Sequence, residues 1–209
     1  MNKRYIKGPE AGGFTLIELL IVMAILGVLA VVVLVAINPV QQLARTRDAG
    51  RKSGVSQVGR ALEAFYTSHG GKYLYGRTAG SNPGTNCNTD GNQVFSDADD
   101  WLTCLVNTGE ISTEPGLINY SVAGTGVCTI GAQYSSEQNG LCYTVSSADD
   151  EAVVYARLES DSERSKCPDS GGPFQPFFVW STRDGRGGLV CIAGINVPAP
   201  GAQNWNPQQ

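Results

Sequence analysis

Histidine occurs once in this chain, as His69, and no cysteine precedes Cys87. Cys87, Cys104, Cys128, Cys142, Cys167 and Cys191 form no C-x-x-C pair, and their spacings of 17, 24, 14, 25 and 24 residues fit no zinc pattern. Charge is nearly absent from residues 14–37, FTLIELLIVMAILGVLAVVVLVAI, where Glu18 stands alone. The chain also lacks the features of a cleaved secretory signal. Such a signal has about 7–15 apolar residues followed by a small-x-small site, whereas this run is longer and is followed by Asn38-Pro39-Val40. No internal repeat is visible.

The 209 residues suit one globular domain plus an appendage. Charge is placed unevenly. Residues 1–13 carry a net +2, residues 14–68 another +2, and residues 69–209 a net −8. The acidic distal part argues against nucleic acid as its partner, because phosphate contacts need Lys and Arg. The basic residues crowd around the apolar run, where an anionic membrane surface would favour them. Six cysteines confined to the distal part suit three disulfides in an oxidising compartment. Their connectivity has about 15 possibilities, and the expectation is pairing between sequential neighbours, Cys167–Cys191 above all.

As a helix rising about 1.5 Å per residue, residues 14–37 would span roughly 36 Å, enough to cross a bilayer. A plain signal anchor leaves Glu18 unexplained, since an acid near the centre of a spanning helix costs about 2.5–3.5 kcal/mol. Arg45, Arg47, Arg51 and Lys52 follow the run and outnumber the Lys3, Arg4 and Lys7 that precede it. The positive-inside rule alone would put the distal part in the cytoplasm. The cysteines point the other way.

The segment Ala11-Gly12-Gly13-Phe14-Thr15-Leu16-Ile17-Glu18-Leu19-Leu20 resembles the cleavage motif of type IV prepilins, a glycine, an aromatic, and an acid at the fifth residue of the new chain. The resemblance implies cleavage between Gly13 and Phe14 by a membrane prepilin peptidase and N-methylation of Phe14. Residues 1–13 would be the leader, and motif plus helix cover residues 11 to about 68. The leader is longer than those of many pilins that begin with Phe, and Pro39 stands just past the apolar run instead of inside it. The physics beneath the resemblance is independent of it. Cleavage creates a cationic amine on Phe14 one turn from Glu18, and the free N–H groups of that turn favour a carboxylate. Between chains, Glu18 could neutralise the Phe14 amine of a neighbour, so that a charge costly alone specifies the stagger.

Pro39 predicts a kink between Ala36 and Pro39, and Gly27 is the weak helix former within the span. Residues 38–68 read as an amphipathic continuation of the helix, with Val55, Val58, Leu62 and Phe65 on one face. Asp48 can pair with Arg51 or Lys52. Gly50, Gly54 and Gly59 each weaken the helix by about 1 kcal/mol, and permit close approach of packed subunit stems. His69-Gly70-Gly71 signals the helix end. Residues 70–100 read as a loop, 101–106 as a short helix, and 117–122, 141–145, 152–158, 177–180 and 189–192 as antiparallel strands. The tail from Asn196, with Pro198, Pro200 and Pro207, reads as unstructured or loosely docked.

Three other motifs carry weaker signals. Asp169-Ser170-Gly171-Gly172-Pro173 resembles the nucleophile loop of chymotrypsin-like proteases, but a serine nucleophile needs a histidine and an orienting acid, and His69 has no such context. Asn86, Asn88, Asp90 and Asp97 echo a calcium loop, departing from it at the first and last ligand positions. Asp149-Asp150-Glu151 and Asp99-Asp100 read as solvated turns.

The expected fold is α+β: a long N-terminal helix, half transmembrane and half amphipathic, on a small antiparallel sheet in a disulfide-stabilised head, residues 69–209. The resemblance implies a structural subunit, not an enzyme, with no cofactor unless calcium. It would be a single-pass precursor in the inner membrane, then part of an extracellular helical homo-oligomer raised by the membrane's pilus assembly machinery. Its work would be adhesion, twitching motility or DNA uptake. The alternatives are a pseudopilin of a type II secretion or competence machine and, remotely, a membrane-anchored serine hydrolase using Ser170.

Overall fold

The computed structural model describes residues 12–36, 38–74, 101–117, 128, 135–146, 148, 150–167, 174–194 and 196–207. The chain divides into two units, Met1–Gln42 and Leu43–Gln209.

The first unit holds helix α1, Leu16–Ala36. Leu16–Val35 is long and apolar enough to cross a membrane, and none of it is buried within the protein. Helix α1 ends at Ala36 and α2, Pro39–Ser68, begins three residues on. Asn38 caps the new helix: its side-chain oxygen accepts from the Gln41 amide at 3.4 Å and its carbonyl from the Gln42 amide at 3.3 Å. Pro39 takes the first helical position, where its missing N–H costs nothing.

In the second unit, Val55, Val58, Leu62 and Phe65 of α2 are all buried. They pack with α3, Trp101–Asn107, on one face of a five-stranded sheet. The strands are β1 Ser135–Gln138, β2 Leu141–Val145, β3 Ala152–Arg157, β4 Phe174–Ser181 and β5 Arg186–Ala193. A four-residue helix α4, Asp161–Arg164, stands between β3 and β4. The strands pair antiparallel in chain order. Because side chains alternate along a strand, Tyr143, Val145, Val154 and Ala156 face the helices, while Cys142, Val153, Tyr155, Phe177, Val179 and Val190 face the other way. Here is an α+β fold with a disulfide-bonded head.

Several boundaries differ from those expected. Strand β1 is polar, SSEQ, and shows no apolar alternation; the Asn139-Gly140 turn builds it, with φ of 52° and 79° as a two-residue hairpin of this kind requires. Strand β4 runs through Pro176, which donates nothing to a ladder. Its carbonyl accepts from the Leu158 amide at 2.9 Å just past the end of β3, so its missing N–H faces no strand partner. Leu117 is in coil, and the rest of the expected strand 117–122 lies outside the described residues.

The tail is docked, not loose. Val197 and Trp205 pack on the second face of the sheet. Trp205 bridges Val190, and the Asn206 amide donates to the Leu189 carbonyl at 2.8 Å. The Arg186 guanidinium lies 4.5 Å from the centre of the Trp205 ring, a cation–π contact.

Two glycines of α2, Gly54 and Gly59, lie against the head's own sheet and coil. A Cβ on Gly59 would fall inside the indole of Trp180, and one on Gly54 would touch Leu141 at 3.7 Å and Pro115 at 3.9 Å. Gly50 has nothing within 4 Å. Gly59→Ala should therefore destabilise the head by about 1–3 kcal/mol through overpacking. Gly50→Ala should stabilise it by up to about 1 kcal/mol through helix propensity. Urea unfolding of the two variants measures both, and equal effects would refute this account of Gly59.

Candidate functional site

At the start of α1, Thr15 and Glu18 form a reciprocal cap. The Thr15 amide and hydroxyl both donate to Glu18 Oε2, at 2.8 and 2.7 Å, and the Glu18 amide donates to Thr15 Oγ1 at 3.3 Å. Two otherwise orphaned amides are satisfied, and a carboxylate is stationed in the positive first turn of an apolar helix. Thr15 is absent from the candidate residues above, although T-x-x-E before an apolar run is a capping-box spacing legible in the sequence. Gly12 and Gly13 are exposed with nothing within 4 Å of where a Cβ would lie, and Phe14 is 86% exposed. Glu18 sits one turn beyond Phe14.

The basic residues after the span have partners in the head. Arg51 is fully buried; its Nη1 donates to Asp48 Oδ1 at 2.8 Å and its Nη2 lies 3.1 Å from Glu159 Oε2. Asp48 in turn accepts the amides of Glu159 at 2.9 Å and Ser160 at 2.8 Å. Arg47 reaches Glu159 at 3.2 Å. Lys52 and Lys166 hold Glu163 at 2.6 and 3.1 Å. Three of the four basic residues that follow the span are thus compensated within the head. The pairing of Asp48 with Arg51 is legible from their spacing; the role of Glu159 is not, because it lies 111 residues away in sequence.

Cys128 is bonded to Cys142 and Cys167 to Cys191, with Cα–Cα separations of 5.6 and 5.5 Å. Cys104 is also disulfide-bonded, and Cys87 lies outside the described residues. Asn206 closes over the second disulfide, its amide donating to the Lys166 carbonyl at 2.8 Å and to Cys191 Sγ at 3.2 Å. The calcium-loop residues Asn86, Asn88, Asp90 and Asp97 and the motif serine Ser170 lie outside the described residues. Among the described residues no cluster of His, Cys, Asp or Glu could hold a metal ion. His69 ends α2, its ring stacked on Phe65 at 4.0 Å and its Nδ1 2.8 Å from Ser68 Oγ.

A helix long and apolar enough to cross a membrane, with a capped acid in its first turn, fits membrane anchoring of a precursor. Residues 10–34 match the family described as the prokaryotic N-terminal methylation motif, the type IV pilin and pseudopilin signature. The motif supports a type IV pilin-like or pseudopilin protein. The motif implies processing by prepilin peptidase and assembly into a pilus or pseudopilus. No curated protein and no solved structure matches the chain.

The charge cluster carries a pH prediction. Burial works to raise the Glu163 pKa, but the hydrogen bonds and charges of Lys52 and Lys166 outweigh it and hold the group below its ordinary 4.5. A depressed folded-state pKa contributes stability that is present above about pH 4.5 and lost as pH falls through the lower value. Glu163→Gln should flatten this part of the acid limb of the stability–pH profile. An unchanged limb in that variant would show that the ion pairs contribute nothing there.

Proposed function

We propose that the chain is a structural subunit of a type IV pilus. The precursor is cut between Gly13 and Phe14, Phe14 is methylated, and the α1 segments of successive copies pack into the core of a helical filament with the acidic head outside. One observation carries this reading: Glu18 sits capped by Thr15 at the first turn of an apolar helix whose side chains find no burial in their own chain. Such a helix is stable in lipid or against copies of itself, and the second setting offers Glu18 the cationic amine of another copy as a partner in addition to its own. The Phe14 amine of a neighbour, one stagger along the fibre, is that partner.

Filament material sheared from cells, analysed by intact mass and N-terminal sequencing, tests the reading. A chain starting at methylated Phe14 in long extracellular fibres supports a pilus subunit. A processed chain confined to the cell envelope, without such fibres, would make it a pseudopilin. A chain still bearing Met1, found only in membranes, would demote it to a signal-anchored protein. Glu18→Ala should leave cleavage intact and abolish fibres, because removing one partner of a desolvated pair leaves the other charge uncompensated; a normal fibre yield would sink the electrostatic account.

A further inference from the structure

The docked tail and the Cys167–Cys191 disulfide share one residue. The Asn206 carboxamide donates to the Lys166 carbonyl at 2.8 Å and to Cys191 Sγ at 3.2 Å, so one planar group touches both sides of the bond. Sulfur is the weaker acceptor, and the Lys166 carbonyl carries most of the contact. The Asn206 amide holds the Leu189 carbonyl, two residues before Cys191, and Trp205 bridges Val190. Asn206 and Cys167 are both buried. A buried carboxamide that loses a hydrogen-bond partner bears its desolvation cost, so docking of Asn206 depends on where Lys166 stands relative to β5.

The disulfide sets that position. Lys166 and Cys167 close the α4 turn, where the Cys167 amide donates to the Arg164 carbonyl at 3.0 Å, and Cys191 lies within β5. The two cysteines are 24 residues apart in sequence, and the bond holds their Cα atoms at 5.5 Å. The sheet has other supports. Strands β4 and β5 pair from Phe174–Ala193 to Ser181–Arg186, and the start of the α4 turn is fixed by Asp48 on the Ser160 amide and by Lys52 on Glu163. Cleaving the bond therefore frees the Cys167 end of the turn and leaves the sheet and the charge cluster in place.

From this shared residue we infer a redox latch: the tail closes on the head when Cys167 and Cys191 are joined and loosens when they are parted. In forming the bond, the two thiols give up two protons and two electrons to a protein disulfide oxidant, whose own disulfide becomes a dithiol. The Lys166 carbonyl and Cys191 Sγ then lie within reach of one carboxamide. Coupling of this kind is reciprocal, so if the bond favours docking, docking favours the bond by the same factor. A docked tail makes Cys167–Cys191 harder to reduce, and a reduced head carries a loosened tail with the Trp205 indole released from Val190. Order in the tail thus reports oxidation of the head, whether or not the chain forms fibres.

Two measurements on the full-length chain in detergent micelles test the latch. The first is the rate at which dithiothreitol reduces each disulfide, read by alkylation and peptide mapping. Asn206→Leu keeps the bulk of the side chain and removes its donors. It should speed reduction of Cys167–Cys191 about tenfold and leave Cys128–Cys142 unchanged. No change at Cys167–Cys191, or equal acceleration of both bonds, would overturn the latch. The second is hydrogen exchange at the Asn206 amide, followed by NMR in the Cys167→Ser/Cys191→Ser variant, with the amides of the central strand β3 as reference. Exchange at Asn206 should rise about tenfold while β3 keeps its protection. An Asn206 amide as protected as in the oxidised chain would sink the coupling. Loss of protection in β3 as well would show that the bond holds the whole head, and a local latch would be wrong.

Discussion

Arg51 carries a permanent charge into a place with no access to water, and the head is arranged around that constraint. A guanidinium left alone there would unfold the site, since breaking a buried pair costs about 3–5 kcal/mol. Asp48 from the previous turn of α2 and Glu159 from beyond β3 supply the compensation, and Asp48 also accepts two amides at the start of the turn that leads into α4. One cluster thereby fixes the register of α2 against the sheet. That register brings Gly59 opposite Trp180, whose indole nitrogen donates to Glu63 at 3.0 Å, and places Val58, Leu62 and Phe65 on the core.

The N-terminal unit obeys a different rule. Its side chains are apolar along the whole of α1 and bury nothing internally, so its stability depends on lipid or on other copies. Within that unit the polar groups are confined to the ends. Thr15 and Glu18 cap the start; Asn38 and Pro39 open the next helix. The division separates an apolar helix with no internal packing from a head held by its charge cluster and disulfides.

The Cys167–Cys191 disulfide and the tail reinforce one edge of the sheet. Cys167–Cys191 ties β5 to the end of the α4 turn, and Asn206 bonds both Cys191 Sγ and the carbonyl beside Cys167. An exposed edge strand is a hazard for uncontrolled pairing, and short covering segments are a common remedy. The tail covers β5 at Leu189 and Val190.

Much of this was legible before any coordinates. The apolar run, Glu18 within it, the Gly-Phe motif and the buried face of α2 are patterns of neighbours in sequence, and helical periodicity expresses them wherever the helix packs. The Thr15 cap was equally readable. Other features were decided by tertiary contact. That Arg51 needs Glu159, that Gly59 receives Trp180, that Pro176 sits where its ladder ends and that a proline-rich tail docks through Trp205 all depend on pairs far apart along the chain. Local periodicity shows that a residue is buried or turned outward; only the assembled sheet decides which distant side chain meets it there, because that choice is made by packing and desolvation across the whole head.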